Sequence, residues 1–350
     1  MRDHHVVESR EWQVAAYCPE GVPTSEHLKL RSFQVSLGGD SIPDGHVAIE
    51  LMFLSVEPYL RATFTGTNDG LFFPQLPLNQ VMKTFGIGRV IGSKDSDYNE
   101  GDIVLNPSSP IAEYCVTSSH LLRKIDPSNG IALPDYLNFL GVPGFAAWVG
   151  VEVVGQPKAG SNVFVSAACS AVGTCAGQLA KLRGCRVIGS TGSDHKVKLI
   201  KEEFGYDDGF NYRKESDFDA ALSKYCPDGI DFYFDNVGGE MLEAVLNHVN
   251  KHAKISLCGM ISEYNKVWTE RRGIRNLLNM VGKEVKMEGF VLDSYWECFG
   301  EFAKQMEDYM KQGKIKTKIQ INHGIESFLD SLASLFSSSN VGKVIIQLNT

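Results

Sequence analysis

The residues best suited to chemistry in this sequence lie between an apolar stretch and a glycine-containing helix. The apolar stretch 163–165 is followed by a run with small residues at 167, 168, 170 and 171, which include Ala168, Ser170 and Ala171, and then by Val172 and Gly173. Small side chains let a backbone approach a pyrophosphate closely, and a helix N-terminus offers free N–H groups and a partial positive charge. The run lacks the G-x-G-x-x-G pattern, so a small-residue helix packed in a core is the alternative. With its βαβ surroundings, the run predicts a dinucleotide-binding turn.

The end of the next predicted strand indicates which dinucleotide would bind. An NAD site places an acidic residue about 20 positions after the glycine turn, where it binds the ribose 2′-hydroxyl. Here the strand end at Gly192 is neutral, and Lys196 stands one turn into the following helix. A neutral pocket beside a cation suits a 2′-phosphate, so we expect NADPH. Asp194 argues against this, and we interpret it as a helix cap, although Ser193 is also a plausible N-cap. The alternative for Lys196 is an unpaired surface lysine.

The cysteines and histidines do not form a metal-binding pattern. No two of the eight cysteines are three apart, so neither a Cys-x-x-Cys redox motif nor a paired-cysteine zinc site is present. The first third of the chain offers only Cys18 and Cys115 and has no Gly-His-Glu segment. His248 and His252 are four apart on a predicted helix, which we interpret as a solvated helix end. We expect no metal.

Composition excludes several classes of function. The chain has 350 residues with 34 Lys plus Arg and 42 Asp plus Glu, a net charge of −8 that argues against nucleic-acid binding. The uncharged stretch 159–180 is long enough to span a membrane, but its glycines and polar residues favour a strand followed by a helix. The first residues do not resemble a signal peptide. We therefore expect a cytoplasmic protein with reduced thiols and no membrane partner.

The predicted secondary structure of the chain changes near residue 140. Before it, short apolar runs at 47–56, 85–91 and 102–105 predict a compact, β-rich, barrel-like domain. After it, strands at 162–168, 186–190, 210–212, 230–234 and 255–258 alternate with predicted helices. Alternation of this length predicts an α/β fold with a doubly wound parallel sheet, of the Rossmann type. Amphipathic helices at 295–312 and 325–337 and a strand at 344–348 close the chain.

A series of motifs matches one family in order. They are Val56-Glu57-Pro58-Tyr59-Leu60-Arg61, Ala167-Ala168 with Val172-Gly173, Gly192-Ser193-x-x-Lys196-Val197, Phe210-Asn211-Tyr212, the segment from Asp231 to Gly239, the segment from Cys258 to Asn265, and Asn340-Val341-Gly342-Lys343. With them the chain resembles the zinc-independent medium-chain dehydrogenase/reductases, and among these the plant NADPH-dependent 2-alkenal (double-bond) reductases. The resemblance covers essentially the whole chain, and the motifs from Asp231 to Tyr264 are its specific part.

The resemblance implies a division of the chain and a set of site residues. Residues 1–130 and 314–350 would form a β-rich, GroES-like substrate domain, residues 131–313 would form the dinucleotide-binding domain, and the protein would be a homodimer. Tyr264 would be catalytic, and Tyr59, Phe85 and Tyr264 would contact the substrate. The cofactor would contact Pro58, Tyr59, Ala168, Ser170, Ala171, Val172, Gly173, Gly192, Lys196, Tyr212, Asn236, Cys258, Tyr264, Phe290, Val291, Leu292 and Asn340.

Three residues depart from the family pattern. Ser170 replaces the usual glycine, which narrows the turn slightly, and Trp148 stands where tyrosine is common. Phe85 replaces a usual pocket tyrosine, so we expect a more apolar pocket that does not favour hydroxylated substrates. The family's preferred substrates therefore do not transfer directly to this chain.

The activity implied is reduction of the C=C bond of α,β-unsaturated aldehydes or ketones, in plant specialised or detoxification metabolism. NADPH would deliver a hydride to the β-carbon, and protonation at the α-carbon would complete the reduction. Two alternatives remain open: an NADPH:quinone oxidoreductase, and an NADPH-binding protein without turnover.

Overall fold

The computed structural model of the protein describes residues 6–67 and 73–348. The strands are β1 (Val6–Val14), β2 (Leu28–Ser36), β3 (His46–Ser55), β4 (Lys83–Ser93), β5 (Ile103–Pro110), β6 (Tyr114–Ser118), β7 (Arg123–Ile125), β8 (Asn162–Val165), β9 (Arg186–Thr191), β10 (Asp208–Asn211), β11 (Ile230–Asp235), β12 (Val249–Leu257), β13 (Lys286–Gly289), β14 (Ile319–His323) and β15 (Lys343–Gln347). The α-helices are α1 (Val142–Trp148), α2 (Ala171–Leu182), α3 (Asp194–Glu202), α4 (Phe218–Tyr225), α5 (Gly239–His248), α6 (Leu278–Lys283), α7 (Phe299–Lys311) and α8 (Phe328–Phe336).

The chain divides into two compact units. Unit 1 comprises Met1–Leu137, Gln320–Ser337 and Val344–Thr350, of which 6–67, 73–137, 320–337 and 344–348 are described. Unit 2 comprises Asn138–Ile319 and Ser338–Lys343. The short segment Ser338–Lys343 thus packs with unit 2, although the sequence places it in the C-terminal part of the substrate domain. The domain bounds expected from the sequence stay a prediction.

Unit 1 is rich in β-structure. β1 and β2 form an antiparallel pair, and a second sheet has the order β14-β15-β3-β4-β5-β7, with β6 paired to β3. Alternate side chains of β3, including Val47, Ile49 and Leu51, point into a core that α8 also reaches through Phe328 and Leu332. The strands predicted at 47–56, 85–91 and 102–105 correspond to β3, β4 and β5.

Unit 2 contains a six-stranded parallel sheet in the order β10-β9-β8-β11-β12-β13. This is the doubly wound arrangement in which the strand order reverses between the first and fourth strands, here between β8 and β11. The α/β fold class predicted from the sequence, with a separate β-rich part, is therefore confirmed. Ligands of such sheets bind at the carboxyl ends of the strands near this reversal.

Two predicted elements are shorter in the structure than in the sequence analysis. β8 ends at Val165 because Ala167 adopts a left-handed conformation, with φ of 48°, that turns the chain away from the sheet. The helix expected at 295–312 begins at Phe299, since the residues Leu292–Cys298 form a tighter 3-10 turn. The uncharged stretch 159–180 forms β8 and most of α2 as expected, and no helix in the described residues is long and apolar enough to cross a membrane.

Candidate functional site

Most of the predicted site residues of unit 2 lie at the carboxyl edge of its parallel sheet. The last paired residues of β11, β12 and β13 lie side by side and are Asp235, Leu257 and Gly289. The residues that follow them are Asn236, Cys258 and Phe290. Beyond the reversal of strand order, the residues after β8, β9 and β10 include Ala168, Gly192 and Tyr212. All of these predicted residues therefore share the edge where such sheets bind ligands.

The turn after β8 packs closely against its neighbours. Ala168 is fully buried, and its N–H donates to the Ser190 carbonyl of β9 at 2.9 Å. A Cβ atom on Gly173 would lie 2.3 Å from the carbonyl oxygen of Ala167, so only glycine fits at this point of α2. The small residues of the predicted run thus allow the helix to start directly against the strand end.

Ser170 begins the helix that follows. Its Oγ accepts a hydrogen bond from the N–H of Gly173 at 3.0 Å, which makes it the N-cap of α2. The N–H groups of Ala171 and Val172 lie in the same first turn, where no acceptor exists within the helix. Together with the positive end of the helix dipole, they suit an anion such as a pyrophosphate.

The helix α3 is capped by Ser193, whose Oγ accepts from the N–H of Lys196 at 3.3 Å. Of the two caps considered from the sequence, Ser193 is therefore right, and the interpretation of Asp194 as the cap is wrong. The Asp194 carboxylate instead accepts from Lys214 at 2.5 Å and from Asn211 at 3.0 Å. The hydrogen bond from Lys214 and that from Asn211 lower the pKa of this exposed carboxyl. The negative charge of the Asp194 side chain is thus paired with Lys214.

Lys196 is buried, with only 6 % of its surface exposed. Its ammonium donates to the carbonyl oxygen of Ser338 at 2.7 Å and to its hydroxyl at 3.3 Å. Burial lowers the pKa of the ammonium, although the nearby Cys169 opposes this effect. The alternative of an unpaired surface lysine is therefore wrong. A Cβ on Gly192 would lie 3.2 Å from the Tyr212 hydroxyl, so Gly192 and Tyr212 are neighbours at the strand ends.

Asn236 is held by the residue that follows β8. Its side-chain Nδ2 donates to the carbonyl oxygen of Ser166 at 2.8 Å, and its backbone N–H donates to Ser166 Oγ at 3.0 Å. These bonds link the ends of β8 and β11 on either side of the reversal. The Asn236 side chain is therefore fixed at the point where the sheet would receive a ligand.

Asp235, at the end of β11, is fully buried and organises the backbone around it. Its Oδ1 accepts from the Tyr233 hydroxyl at 2.6 Å and from the N–H groups of Val237 and Gly238 at 2.8 and 2.9 Å. Ser166 Oγ donates to the same oxygen at 3.2 Å. Burial raises the pKa of Asp235, and these hydrogen bonds oppose the rise. In the described part of the chain, Oδ2 has no hydrogen-bond partner.

The loop after β12 carries Cys258 and Tyr264. The N–H of Cys258 donates to the carbonyl oxygen of Asp235 at 2.9 Å, which ties this loop to β11. The Tyr264 hydroxyl accepts from the N–H of Met260 at 3.1 Å. Burial raises the pKa of Cys258 to about 12 and also raises the pKa of Tyr264. Both groups therefore carry their protons at neutral pH, and the Tyr264 proton remains available for donation.

The remaining predicted cofactor residues of unit 2 lie in two segments. Phe290, Val291 and Leu292 follow β13 directly, and the Phe290 ring meets Tyr295 edge to face at 6.2 Å. Asn340 is 8 % exposed and lies in the segment Ser338–Lys343. The N–H of Gly342 in that segment donates to the Cys169 carbonyl at 2.9 Å. The structure therefore brings this C-terminal segment to the turn after β8.

Pro58 and Tyr59 lie in unit 1, at the start of the 3-10 helix Pro58–Phe64. The Tyr59 ring stacks on Phe73 with centroids 4.9 Å apart. Burial, with the charge of the buried Glu57 in second place, raises the pKa of Tyr59. The phenol therefore stays protonated and can act only as a neutral hydrogen-bonding group.

Phe85 lies in β4, where the pairing with β5 shifts register between Thr84 and Gly86. Such a bulge redirects a side chain from the regular alternation of the strand. Phe85 is half-buried, whereas Thr84 is buried and donates to the Ser55 carbonyl at 2.8 Å. Because of the bulge, the side chain of Phe85 does not follow the orientation of the packed residues beside it.

Trp148 ends α1 and is buried in unit 2. Its ring lies 6.5 Å from that of Phe145 and 6.2 Å from that of Phe302, centroid to centroid. Its indole N–H donates to Gln305 of α7 at 2.5 Å. These contacts make Trp148 part of the packing between α1 and α7.

Three residues of the candidate site were not predicted from the sequence, and they are Ser166, Asp235 and Ser338. Asp235 had a local signal, because it is the charged residue that ends the apolar run of β11. Ser166 and Ser338 had none, since Ser338 meets Lys196 across 142 positions of the chain. The fold alone brings these residues to the candidate site.

The groups at the carboxyl edge fit a dinucleotide with a phosphate on its adenosine ribose. The first turn of α2 offers N–H donors to a pyrophosphate, and the buried Lys196 with Tyr212 offers a cation and a hydroxyl to a second phosphate. Asn236 and the loop of Tyr264 lie toward the other end of the edge. The strand end at residues 190–193 reads Ser-Thr-Gly-Ser and carries no acidic residue of its own.

Comparison with known proteins places the chain among oxidoreductases. Residues 10–125 match the family described as N-terminal domain of oxidoreductase, and residues 171–308 match the family described as Zinc-binding dehydrogenase. Both matches lie largely within one structural unit each, the first in unit 1 and the second in unit 2.

Three similar proteins extend over nearly the whole chain. The NADP(+)-dependent 2-alkenal reductase of Nicotiana tabacum is 36% identical over 94% of this chain and 94% of that protein. The (+)-pulegone reductase of Mentha piperita is 37% identical, covering 92% of this chain and 93% of that protein. The crystal structure of CurA in complex with NADPH from Vibrio vulnificus is 32% identical with a TM-score of 0.88, over 97% of this chain and 99% of that one.

The family description implies zinc, and the residues of this chain do not fit it. Among residues 6–67 and 73–348, no three His, Cys, Asp or Glu side chains come together as metal ligands could. The Cys18 thiol contacts the carbonyl oxygen of Glu20 at 3.2 Å. Burial raises the pKa of Cys115 to about 12, so it does not supply a thiolate. We derive no chemistry through zinc.

Proposed function

Because this chain belongs to the medium-chain dehydrogenase/reductase family, we propose that it reduces the C=C bond of α,β-unsaturated aldehydes or ketones with NADPH. The tobacco relative supports this substrate class, since a 2-alkenal is an α,β-unsaturated aldehyde. The observation in the structure that carries the proposal is the Tyr264 hydroxyl, which accepts from Met260 and keeps its proton for a substrate oxygen. A role in plant specialised or detoxification metabolism is part of the proposal, supported by the two plant relatives.

The cofactor residues inferred from the sequence remain part of the proposal. The first turn of α2 would hold the pyrophosphate, and Gly192, Lys196 and Tyr212 would hold the 2′-phosphate. Asn236, Cys258, Phe290, Val291, Leu292 and Asn340 would lie along the nicotinamide half, with Pro58 and Tyr59 from unit 1. The neutral strand end and the buried ammonium of Lys196 support NADPH over NADH.

When bound, NADPH supplies a hydride to the β-carbon of the substrate. The C=C electron pair moves toward the carbonyl oxygen, which becomes negatively charged, and the α-carbon takes a proton from solvent. The Tyr264 hydroxyl would donate a hydrogen bond to that oxygen, which stabilises its charge most strongly at the transition state. Tyr59 and Phe85 would contact the substrate, with Phe85 supplying an apolar surface.

The proposed function is tested by a screen for NADPH oxidation without oxygen, over enals, enones and quinones. We expect enals or enones to be consumed, with products that gain two hydrogens and keep the carbonyl group. Product masses and carbonyl derivatisation distinguish this outcome from reduction of the carbonyl itself. Turnover of quinones alone would favour the quinone oxidoreductase alternative. NADPH binding without any turnover would favour the non-catalytic alternative.

We also propose that the protein is a homodimer through the β13 side of unit 2. β13 is the edge strand of the parallel sheet, and α6 exposes Leu278 and Val281, at 80 % and 74 % of their surfaces. These two residues are three apart and lie on one helix face. An apolar helix face beside an open sheet edge is costly to leave in water.

Charged replacements on α6 test the dimer. We expect Leu278→Lys with Val281→Lys to convert the protein to a monomer in light scattering after size-exclusion chromatography, because two ammonium groups would be buried at the interface. Leu182→Lys, at an exposed leucine of α2, is the matched control and should leave the mass unchanged. A double variant that keeps the wild-type mass, or a wild-type monomer, would contradict the proposal.

A cytoplasmic location is likewise a proposal. All eight cysteines are free thiols in the structure, and six of them are buried. Free thiols in this number are typical of proteins in a reducing compartment.

A further inference from the structure

The segment Ser338–Lys343 is anchored to the cofactor-binding half of the molecule. The N–H of Gly342 donates to the Cys169 carbonyl, and the N–H of Lys343 donates to the Lys318 carbonyl, both at 2.9 Å. A Cβ on Gly342 would lie 2.2 Å from the Lys318 carbonyl oxygen, so the approach is close. The segment is therefore held in place independently of any ligand, with Ser338 at its start.

Ser338 meets the buried ammonium of Lys196 through two atoms. Its carbonyl oxygen accepts at 2.7 Å and its hydroxyl oxygen at 3.3 Å. An ammonium has three donors, so these two bonds leave the third one for another acceptor. Because the Ser338 oxygen accepts from Lys196, its own hydroxyl proton is also free to donate.

The Ser338 hydroxyl lies on the same side of Gly192 as the Tyr212 hydroxyl. A Cβ on Gly192 would lie 2.5 Å from Ser338 Oγ and 3.2 Å from the Tyr212 oxygen. A side chain at residue 192 would therefore collide with Ser338 Oγ, so both hydroxyls lie close to the Cα of Gly192. Lys196, Tyr212 and Ser338 thus place a cation and two hydroxyls close to Gly192 at the end of β9.

The backbone of Ser338 adopts the left-handed region, with φ of 54°. Glycine favours this conformation, and a residue with a side chain is rare there. The preceding and following residues are also serines, and the hydroxyl of Ser338 accepts a hydrogen bond from Lys196. In this left-handed conformation, the Ser338 hydroxyl contacts the Lys196 ammonium.

We propose that Ser338 is a specificity-determining residue whose hydroxyl donates directly to the 2′-phosphate of NADPH. A phosphate monoester presents three terminal oxygens, which match the ammonium of Lys196 and the hydroxyls of Tyr212 and Ser338. The 2′-hydroxyl of NADH has no such oxygens and gains little from the same donors. The inference rests on the proposed function in taking NADPH as the cofactor, and it adds a ligand from the C-terminal segment.

The test measures binding rather than turnover, with four ligands on the full-length protein. Dissociation constants of NADPH, NADH, 2′-AMP and 5′-AMP are determined by titration calorimetry for wild type, Ser338→Ala and Ser338→Gly. We expect both variants to weaken NADPH and 2′-AMP by about 10-fold, the size expected for a hydrogen bond to a charged group. NADH and 5′-AMP should change less than about 2-fold by the same reasoning. Ser338→Gly controls for backbone strain, because glycine adopts the left-handed conformation without steric cost and the variant removes only the side chain.

Two further variants separate a direct contact from an indirect one. Ser339→Ala removes a neighbouring hydroxyl and should leave all four constants unchanged. Lys196→Ala should weaken NADPH by about 10- to 100-fold and NADH hardly at all. If Ser338 contacts the phosphate itself, adding Ser338→Ala to Lys196→Ala should weaken 2′-AMP further. No further loss in the double variant would mean that Ser338 only positions Lys196, and it would overturn the proposal.

The remaining outcomes distinguish this inference from the proposed cofactor. Equal losses for NADPH and NADH in the Ser338 variants would show a structural role and overturn the inference. Unchanged constants in both variants would overturn it as well. A wild-type protein that binds 2′-AMP no better than 5′-AMP would instead refute the NADPH assignment itself. A wild-type preference for 2′-AMP that is undiminished in Ser338→Ala would refute the role of Ser338 alone.

Discussion

Replacing Tyr264 with phenylalanine is expected to lower kcat and kcat/KM together by about 100-fold for an enal that the wild-type enzyme reduces. The expected loss is that of one donor to an oxygen on which charge develops during the reaction. Because this bond strengthens only in the transition state, the dissociation constant of NADPH should stay nearly unchanged. Steady-state kinetics and cofactor titration on the same preparations measure both quantities.

The geometry of Tyr264 explains why donation, rather than proton release, is expected. Its oxygen accepts from the N–H of Met260 at 3.1 Å, so its own proton points elsewhere. Burial raises the pKa of the phenol, which keeps the proton on the oxygen at neutral pH. The rate should therefore show no titration of Tyr264 between about pH 6 and pH 8, since even an unperturbed tyrosine has a pKa near 10.

Tyr309→Phe is the matched control for this experiment. It removes one phenol oxygen from α7, where that oxygen accepts from Gln305 at 3.1 Å, and should leave the kinetics unchanged. A loss of less than about threefold in Tyr264→Phe would be far below the effect of an oxyanion donor and would remove the catalytic assignment. An equal weakening of NADPH binding would instead make Tyr264 a packing residue of its loop.

Local patterns in the sequence were sufficient to predict the turn after β8 and the start of α2. The apolar strand and the helix with small residues are separated by only a few positions, so the turn at Ala168 could be predicted from neighbouring residues. The position of Lys196 one turn into α3 follows in the same way. The same local reasoning offered both Ser193 and Asp194 as the cap of α3 and favoured Asp194 wrongly, because a hydroxyl and a carboxylate are both good caps.

Contacts between distant parts of the chain account for what the sequence could not predict. Ser338 reaches Lys196 across 142 positions, and Asp235 is bonded to Ser166 across 69. No periodicity encodes such pairs, since they depend on the order of strands in the sheet. The strands β1 and β2 were not predicted for a related reason. Many of their residues are exposed or half-buried, so the sequence shows no clear apolar alternation, and the two strands are defined by their pairing with each other.

Replacing Asp235 with alanine is expected to lower the free energy of unfolding by about 3–4 kcal/mol, because buried donors without an acceptor cost about 1–3 kcal/mol each. The donors left unpaired are the N–H groups of Val237 and Gly238, whereas the Tyr233 hydroxyl keeps Ser166 Oγ at 3.0 Å as an acceptor. In a unit of this size the melting temperature should fall by about 10 °C. Asp194→Ala removes an exposed carboxylate, with 64 % of its side chain accessible, and is the control that should leave the melting temperature nearly unchanged.

The pH dependence of a second variant, Asp235→Asn, tests the state of this carboxyl group. Burial raises the pKa of Asp235 in the folded protein, so the folded state binds the proton more tightly than the unfolded state. Wild-type stability contributed by this group is therefore complete below a pH of about 4 and is lost as the pH rises toward the folded-state pKa. The amide of the variant does not titrate, so we expect the stability difference between wild type and Asp235→Asn in urea unfolding to shrink as the pH rises above about 4. A difference that grows with pH would show a stabilised carboxylate and a lowered pKa, contrary to its burial and its unpaired Oδ2.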